Sequence, residues 1–205
     1  MGDIQQRSLE WFEQRRGKFT ASETFKLMGV RGLGETGNTF ALEKAIELVC
    51  DSEDENFVSS DMQRGIDLEP LAFAKFKELK EIEFLEVENC GFFEYCENSG
   101  ASPDGLVSDD AVLEIKCPKK TNFFKLVAEN EVNKNYFYQM QMQMLAAKKS
   151  KAYFFNYIIL DGVEFWHEIV IPRCEKTIEK IKERIAEASE LKKEYLNKIN
   201  NNKQF

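Results

Sequence analysis

The stretch Tyr153-Phe154-Phe155-Asn156-Tyr157-Ile158-Ile159-Leu160 is apolar or aromatic almost throughout. A strand with one wet face alternates apolar and polar residues, so an unbroken run marks a strand covered on both faces. Core packing accounts for its aromatic rings better than stacking on bases does. Asp161-Gly162 is a short-range hairpin signal, and it turns the chain into an antiparallel partner over 163–171. Amphipathic segments elsewhere supply the covering layers. Residues 7–16 place Leu9, Trp11 and Phe12 on one side and stop at Gly17. Residues 38–50 turn Phe40, Leu42, Ile46 and Val49 inward, and an acidic loop follows at 51–56. A helix over 59–80, capped by Ser60, is expected to kink or restart at Pro70, which lacks an N–H. Residues 82–96 read as one or two strands, and 121–130 and 135–148 as helices. The last helix, 173–200, carries Ile178, Ile181, Ile185, Ala188, Leu191, Tyr195 and Ile199 on a stripe expected to pack onto the sheet, ahead of a frayed tail. The expected class is α/β (α+β): a mixed central sheet flanked by helices, in a single domain spanning 1–205.

Ahead of the long strand stands Ser102-Pro103-Asp104-Gly105, followed ten residues after the aspartate by Glu114-Ile115-Lys116. Val112, Glu114 and Lys116 alternate with Leu113, Ile115 and Cys117, so Glu114 and Lys116 point to the same side of a strand. Ser108-Asp109-Asp110 folds the chain back as a hairpin and brings Asp104 beside Glu114. Two readings are open at this point. One is a surface strand with an ordinary Glu–Lys pair. The other is a hard-cation site on a sheet edge, where carboxylate oxygens suit Mg²⁺ or Mn²⁺ and the lysine meets an anionic oxygen or a bound water.

Other segments are similarly double-sided. Thr20-Ala21-Ser22-Glu23 fits a capping box, and with Arg15, Arg16 and Lys18 nearby it is either an anion site or a cap among solvated charges. Glu69, taken alone, is a solvated helix acid. Glutamines on a helix, here 139, 141 and 143, are normally surface filler, and an interleaved methionine stripe is normally core. His167 has no partners for a catalytic triad and reads as structural. The glycines between Gly29 and Gly37 make a loop with no Gly-Lys-Ser/Thr after it, which excludes a P-loop.

The string from Ala101-Ser102-Pro103-Asp104-Gly105-Leu106 to Leu113-Glu114-Ile115-Lys116-Cys117-Pro118 resembles the YqaJ-type viral recombinases, the lambda exonuclease family within the PD-(D/E)XK nucleases. Three separate matches accompany it: Trp11-x3-Arg15-x-Gly17-x2-Thr20-Ala21-Ser22, Gly65-x3-Glu69-Pro70 and Tyr136-x2-Gln139-x-Gln141. The resemblance implies that Asp104, Glu114, Glu69 and the Ile115 carbonyl hold one or two Mg²⁺ (or Mn²⁺). It implies that Lys116 and Gln139 act on the attacking water. Arg15 and Ser22 would grip the 5′ phosphate, with Thr20, Trp11 and Gln141 in supporting places.

Composition constrains the same reading. A net charge of -8 with pI near 5.0 argues against a general nucleic-acid coat, but not against a nuclease with a local basic track. Five cysteines without CxxC spacing, and one histidine, supply neither a zinc set nor an iron–sulfur set, and suggest reduced thiols in a cytoplasm. No apolar run approaches the roughly 20 residues that span a bilayer, and Met1–Gln6 lacks the features of a signal peptide. The resemblance then implies a 5′→3′ exonuclease that digests linear double-stranded DNA from its ends. The 3′ single strands it leaves would go to a single-strand annealing protein. It also implies a ring-shaped homotrimer, in a phage or prophage setting within a bacterial host. Two alternatives stand beside it: a structure-specific, restriction or repair endonuclease of the same fold, and a non-catalytic DNA-binding recombination accessory protein.

Overall fold

The computed structural model describes residues 6–50 and 59–202. The apolar run forms β7 (Lys151–Leu160), and every residue from Ala152 to Ile158 is buried. Asp161 and Gly162 both take positive φ and turn the chain into β8 (Val163–Pro172), paired antiparallel along its whole length. On the other side β7 pairs in parallel with β6 (Ala111–Lys116), which forms a hairpin with β5 (Gly105–Val107). The short β2 (Val87–Glu88) completes a five-stranded sheet in the order β2-β5-β6-β7-β8.

Alternation along β6 and β7 assigns the two covering layers. Leu113, Ile115, Tyr153, Phe155 and Tyr157 pack with Ala72 and Phe76 of α3 (Ser60–Ile82). Val112, Ala152 and Phe154 pack with Met140 and Met144 of α5 (Lys134–Ala147), which follows α4 (Lys120–Glu129) in the crossover from β6 to β7. The sheet is therefore mixed and helix-covered on both faces.

A second unit adjoins it. β1 (Phe19–Thr20), β4 (Ser99–Ala101) and β3 (Phe93–Cys96) make a small sheet in the order β1-β4-β3. α1 (Leu9–Arg15), a 3-10 helix (Ala21–Leu27), α2 (Gly34–Ile46) and α6 (Glu175–Asn201) complete the described elements. The α6 stripe of Ile178, Ile181, Ile185 and Ala188 packs with Phe19, Leu27, Phe40, Ala41 and Met142, not onto the five-stranded sheet as its pattern predicted.

Other expectations shift for local reasons. α2 begins at Gly34, inside the glycine-rich stretch, and buries Gly37, Phe40, Ala41, Lys44 and Ala45. The small Ala41 and Ala45 let α2 approach α6, while Ile46 is left 41% exposed. α3 runs unbroken through Pro70, which lies on its exposed side where water can meet the freed carbonyl. Its cap is Ser59, whose hydroxyl accepts from the Met62 N–H, and not Ser60. Phe84, expected in a strand, is almost fully exposed at positive φ just past the end of α3. The acidic loop at 51–56 and the last three residues of the tail lie outside the described residues. Among the described residues no helix is long and apolar enough to cross a membrane, and all five cysteines are free thiols.

The small sheet tolerates no side chain at Gly100. A Cβ there would stand 2.6 Å from the Phe93 carbonyl oxygen and 2.2 Å from the Phe92 ring. Gly100→Ala forces β3 and β4 apart, and urea unfolding should show a loss of about 1–3 kcal/mol.

Candidate active site

β5 begins at Gly105, and the residue before it, Asp104, extends the pairing to β6 with its backbone N–H and its side chain. The Asp104 N–H donates to the Leu113 carbonyl at 2.9 Å, and Asp104 Oδ2 accepts from the Ile115 N–H at 2.6 Å. The carboxyl is thus fixed just ahead of β5, beside the last residues of β6. β6 is the third of five strands, so the site sits at the end of an interior strand and not on a sheet edge.

Glu114 and Lys116 share one face of β6, the face that α5 covers. Lys116 Nζ is 2.5 Å from Glu114 Oε1, and Glu114 is only 2% exposed. Gln139 Nε2 donates to Glu114 Oε1 at 2.7 Å, and Gln143 Nε2 donates to Oε2. Lys116 Nζ also lies 5.1 Å from the centre of the Tyr136 ring. Burial and then the Glu114 charge push the Asp104 carboxyl well above the usual range, against the opposing pull of Lys116. Burial works against the Lys116 charge, but Glu114 and Asp104 outweigh it and hold the ammonium above its ordinary pKa.

Glu69 approaches from α3. Its charge adds to the rise at Asp104, but its Oε2 is paired with Arg7 Nη2 at 2.6 Å. Gln6 Nε2 donates to the Pro103 carbonyl at 2.9 Å, so the segment before α1 lies against this end of the sheet. Next to Lys116, burial followed by the Glu69 charge raises the Cys117 thiol to about 12, which leaves it unionised. Among the described residues, no three His, Cys, Asp or Glu side chains gather in a group that could hold a metal ion.

A second cluster forms where α1, β1 and the 3-10 helix meet the strand end. The Arg15 guanidinium stacks 4.0 Å from the centre of the Trp11 ring. Trp11 Nε1 donates to Ser102 Oγ at 3.0 Å, Arg15 Nη1 approaches the same oxygen at 3.5 Å, and Arg15 Nη2 donates to Thr20 Oγ1 at 3.3 Å. Thr20 Oγ1 is in turn 3.5 Å from Ser22 Oγ. Burial lowers the Arg15 pKa to about 10, against the pull of Glu23 and Glu47, and the group stays cationic at neutral pH. A cavity of about 180 Å³ carries Ser22, Tyr136 and Gln139 on its walls, so this cluster opens toward the Glu114 network.

Two sequence expectations need correction here. Thr20 makes no capping bond; its hydroxyl serves Arg15, and Glu23 pairs with Lys26 and Lys44. Gln141 lies outside the cluster, because its amide donates to the Pro172 carbonyl and accepts from the Cys174 N–H. Two residues along a helix is more than half a turn, whereas Gln143, four residues after Gln139, returns to the same face. That spacing was a usable signal for Gln143. Ser102 stands two residues before Asp104 in the quoted string, while nothing local marked Arg7.

Residues 10–150 match the family described as the YqaJ-like viral recombinase domain. This chain belongs to that family. No curated protein sequence matches it. Among solved structures, the YqaJ-family fold seen here is similar to an alkaline exonuclease, LHK-Exo, from Laribacter hongkongensis. The two are 27% identical with a TM-score of 0.83, over 95% of this chain and 97% of that one. LHK-Exo in complex with dAMP gives a TM-score of 0.80 at the same identity and coverage. A phage-related exonuclease from Haemophilus somnus 129PT, 19% identical, shares the fold with a TM-score of 0.72 over 89% of this chain and 96% of that one. Family and neighbours together mark this YqaJ-family protein as a nuclease of the lambda exonuclease type.

Proposed function

We propose that the protein is a divalent-metal-dependent 5′→3′ exonuclease that shortens linear double-stranded DNA and leaves 3′ single strands for a strand-annealing partner. The observation that carries this reading is the adjacency of two unlike clusters. A cationic, hydroxyl-rich cluster of Arg15, Trp11, Ser102, Thr20 and Ser22, with Ser22 on the wall of a cavity that also bears Gln139, adjoins a buried acidic pair with a lysine. The first suits a terminal phosphate and the second suits hydrolysis at the next one.

Nucleases of this family generally use divalent metal ions, and the donor set here fits such an ion. Burial and the Glu114 charge raise the cost of ionising Asp104, which a dication would relieve. Mg²⁺ commonly takes only one or two carboxylates and keeps several waters. Asp104, Glu114 and the Ile115 carbonyl would hold it, with Glu69 available once released from Arg7. When bound, the ion supplies an activated water and stabilises charge on the phosphoryl oxygens. Gln139 and Gln143 keep Glu114 in one orientation by donating to both of its oxygens. Lys116, held protonated, meets developing negative charge on phosphorus by electrostatics; it does not take the proton from water. On the same reading the protein works as a ring-shaped trimer in a bacterial cytoplasm.

Duplexes labelled at one 5′ end, with and without a 5′ phosphate, test this. Mg²⁺ should release labelled mononucleotide from linear DNA, faster with the phosphate, and chelator should stop it. Cutting of closed-circular duplex, or release from the 3′ end first, would sink the reading in favour of an endonuclease or the opposite polarity.

A further inference from the structure

A cavity of about 370 Å³ opens beside Lys116, among α4, the start of α5 and β7, with Tyr136, Phe154, Asn156, Asn122 and Asn133 on its walls. Asn156 stands opposite Lys116 in the β6–β7 register, and Phe154 opposite Glu114, so these side chains rise on one face. Asn156 is 2% exposed, and its Nδ2 has no hydrogen-bond partner. An idle donor in a buried carboxamide costs stability that leucine, of similar volume, would not. Nothing in the packing of β7 calls for an amide there.

The remaining walls say what the amide is for. Tyr136 is 39% exposed, its ring tilted against Phe154 at 5.4 Å. Glu129 and Glu131 also line the cavity, Lys125 is drawn to Glu129, and Lys116 is paired with Glu114. A phosphate would meet acids there and no unpaired cation. A neutral planar ring with donors and acceptors on its edge fits both the aromatic wall and the amides. The cavity shares Tyr136 and Asn133 with the smaller one that bears Ser22.

We propose that this cavity is a nucleobase subsite, which receives an unpaired base of the strand being cut, stacks it on Tyr136 and engages its edge through Asn156. The proposal rests on the nuclease reading above and deepens it: the base is held while its phosphate is presented to Lys116. A base inside a duplex cannot enter, so the terminal pairs must open first.

Two measurements on 5′-phosphorylated duplexes decide it. In chelator, 2-aminopurine placed at the first, second or third position from the 5′ end should change its emission on binding at one position alone. Asn156→Leu and Tyr136→Leu should abolish that change. In Mg²⁺ and single-turnover conditions, an abasic analogue at the same position should slow the wild type about 10-fold, in line with the loss of one stacked base. Asn156→Leu should shrink the abasic penalty and should melt no lower than the wild type, while Tyr136→Leu should cut normal and abasic substrates at the same reduced rate. Equal emission changes at all positions, or an abasic penalty undiminished in Asn156→Leu, would overturn the proposal. Tyr136→Leu, on the half-exposed first turn of α5, decides the matter if Asn156→Leu fails to fold. If the wild type cleaves no duplex in Mg²⁺, the exonuclease reading falls, while the emission result still decides the cavity.

Discussion

Asp104→Asn is expected to abolish cleavage and, in the same molecule, to stabilise the metal-free protein. The catalytic loss should be about 10³-fold or more, since on the proposed reading Asp104 helps hold the ion, and such a ligand supports several kcal/mol of transition-state stabilisation. The stability gain has a different origin. Burial and the neighbouring Glu114 raise the Asp104 pKa on folding. An acid whose pKa rises on folding contributes stability that is complete below the ordinary carboxylate pKa, about 3.9. That contribution is lost as pH climbs through the raised value. At pH 8, far above the ordinary carboxylate pKa, the wild type is less stable on this account than at pH 4, and asparagine has no proton to lose. Asparagine also keeps an oxygen to accept from the Ile115 N–H. In chelator at pH 8 the variant should melt about 2–4 °C higher, which corresponds to ~1 kcal/mol for a chain of this size. The advantage should shrink as pH falls toward 4. Added Mg²⁺ should raise the wild type and leave the variant where it was. A variant that melts lower than the wild type in chelator at pH 8 would mean that the Asp104 charge is welcome in the metal-free fold, contrary to the electrostatics above.

What the sequence made legible follows the range over which its signals act. β7 is readable because burial on both faces writes itself into consecutive residues. The β5–β6 hairpin is readable because period two and a turn lie within a dozen positions. α4 and α5 emerge close to their expected limits for the same reason. Signals fail where a contact joins distant segments. β1 has only two residues and no period of its own; it exists because Phe19 and Thr20 pair with Ser99 and Gly100. The inner face of α2 was misjudged by hydrophobicity, because what α6 selects there is the smallness of Ala41 and Ala45. Arg7 reaches Glu69 across 62 positions of sequence, and no spacing rule foretells a counter-charge at that distance. The acid pair was found by motif, but only coordinates show Gln139 and Gln143 closing over Glu114 from one helix face.

Glu114→Gln should shift stability in the opposite direction from Asp104→Asn, although both remove one acid from the same pair. Glu114 is 2% exposed and receives Gln139, Gln143 and Lys116, donors all three. An amide offers one oxygen and two N–H groups, so at least one donor meets another donor. Lys116 also loses its counter-charge in a site where burial already works against it. Removing one member of a buried ion pair typically costs 3–5 kcal/mol. Lys116 keeps 30% of its side chain exposed, which sets the expectation at the low end, about 3 kcal/mol. Chemical denaturation in chelator at pH 8 measures it. Adding Lys116→Met to Glu114→Gln removes the stranded charge and should recover about 1–2 kcal/mol, a coupling that independent sites would not show. Both acid variants should be inactive, so activity cannot separate their roles and stability must. If Glu114→Gln unfolds within a few tenths of a kcal/mol of the wild type, the carboxylate is not the charged hub of a three-donor network. If instead the double variant is weaker than the single one, Lys116 owes its place to packing on Tyr136 more than to its pairing with Glu114.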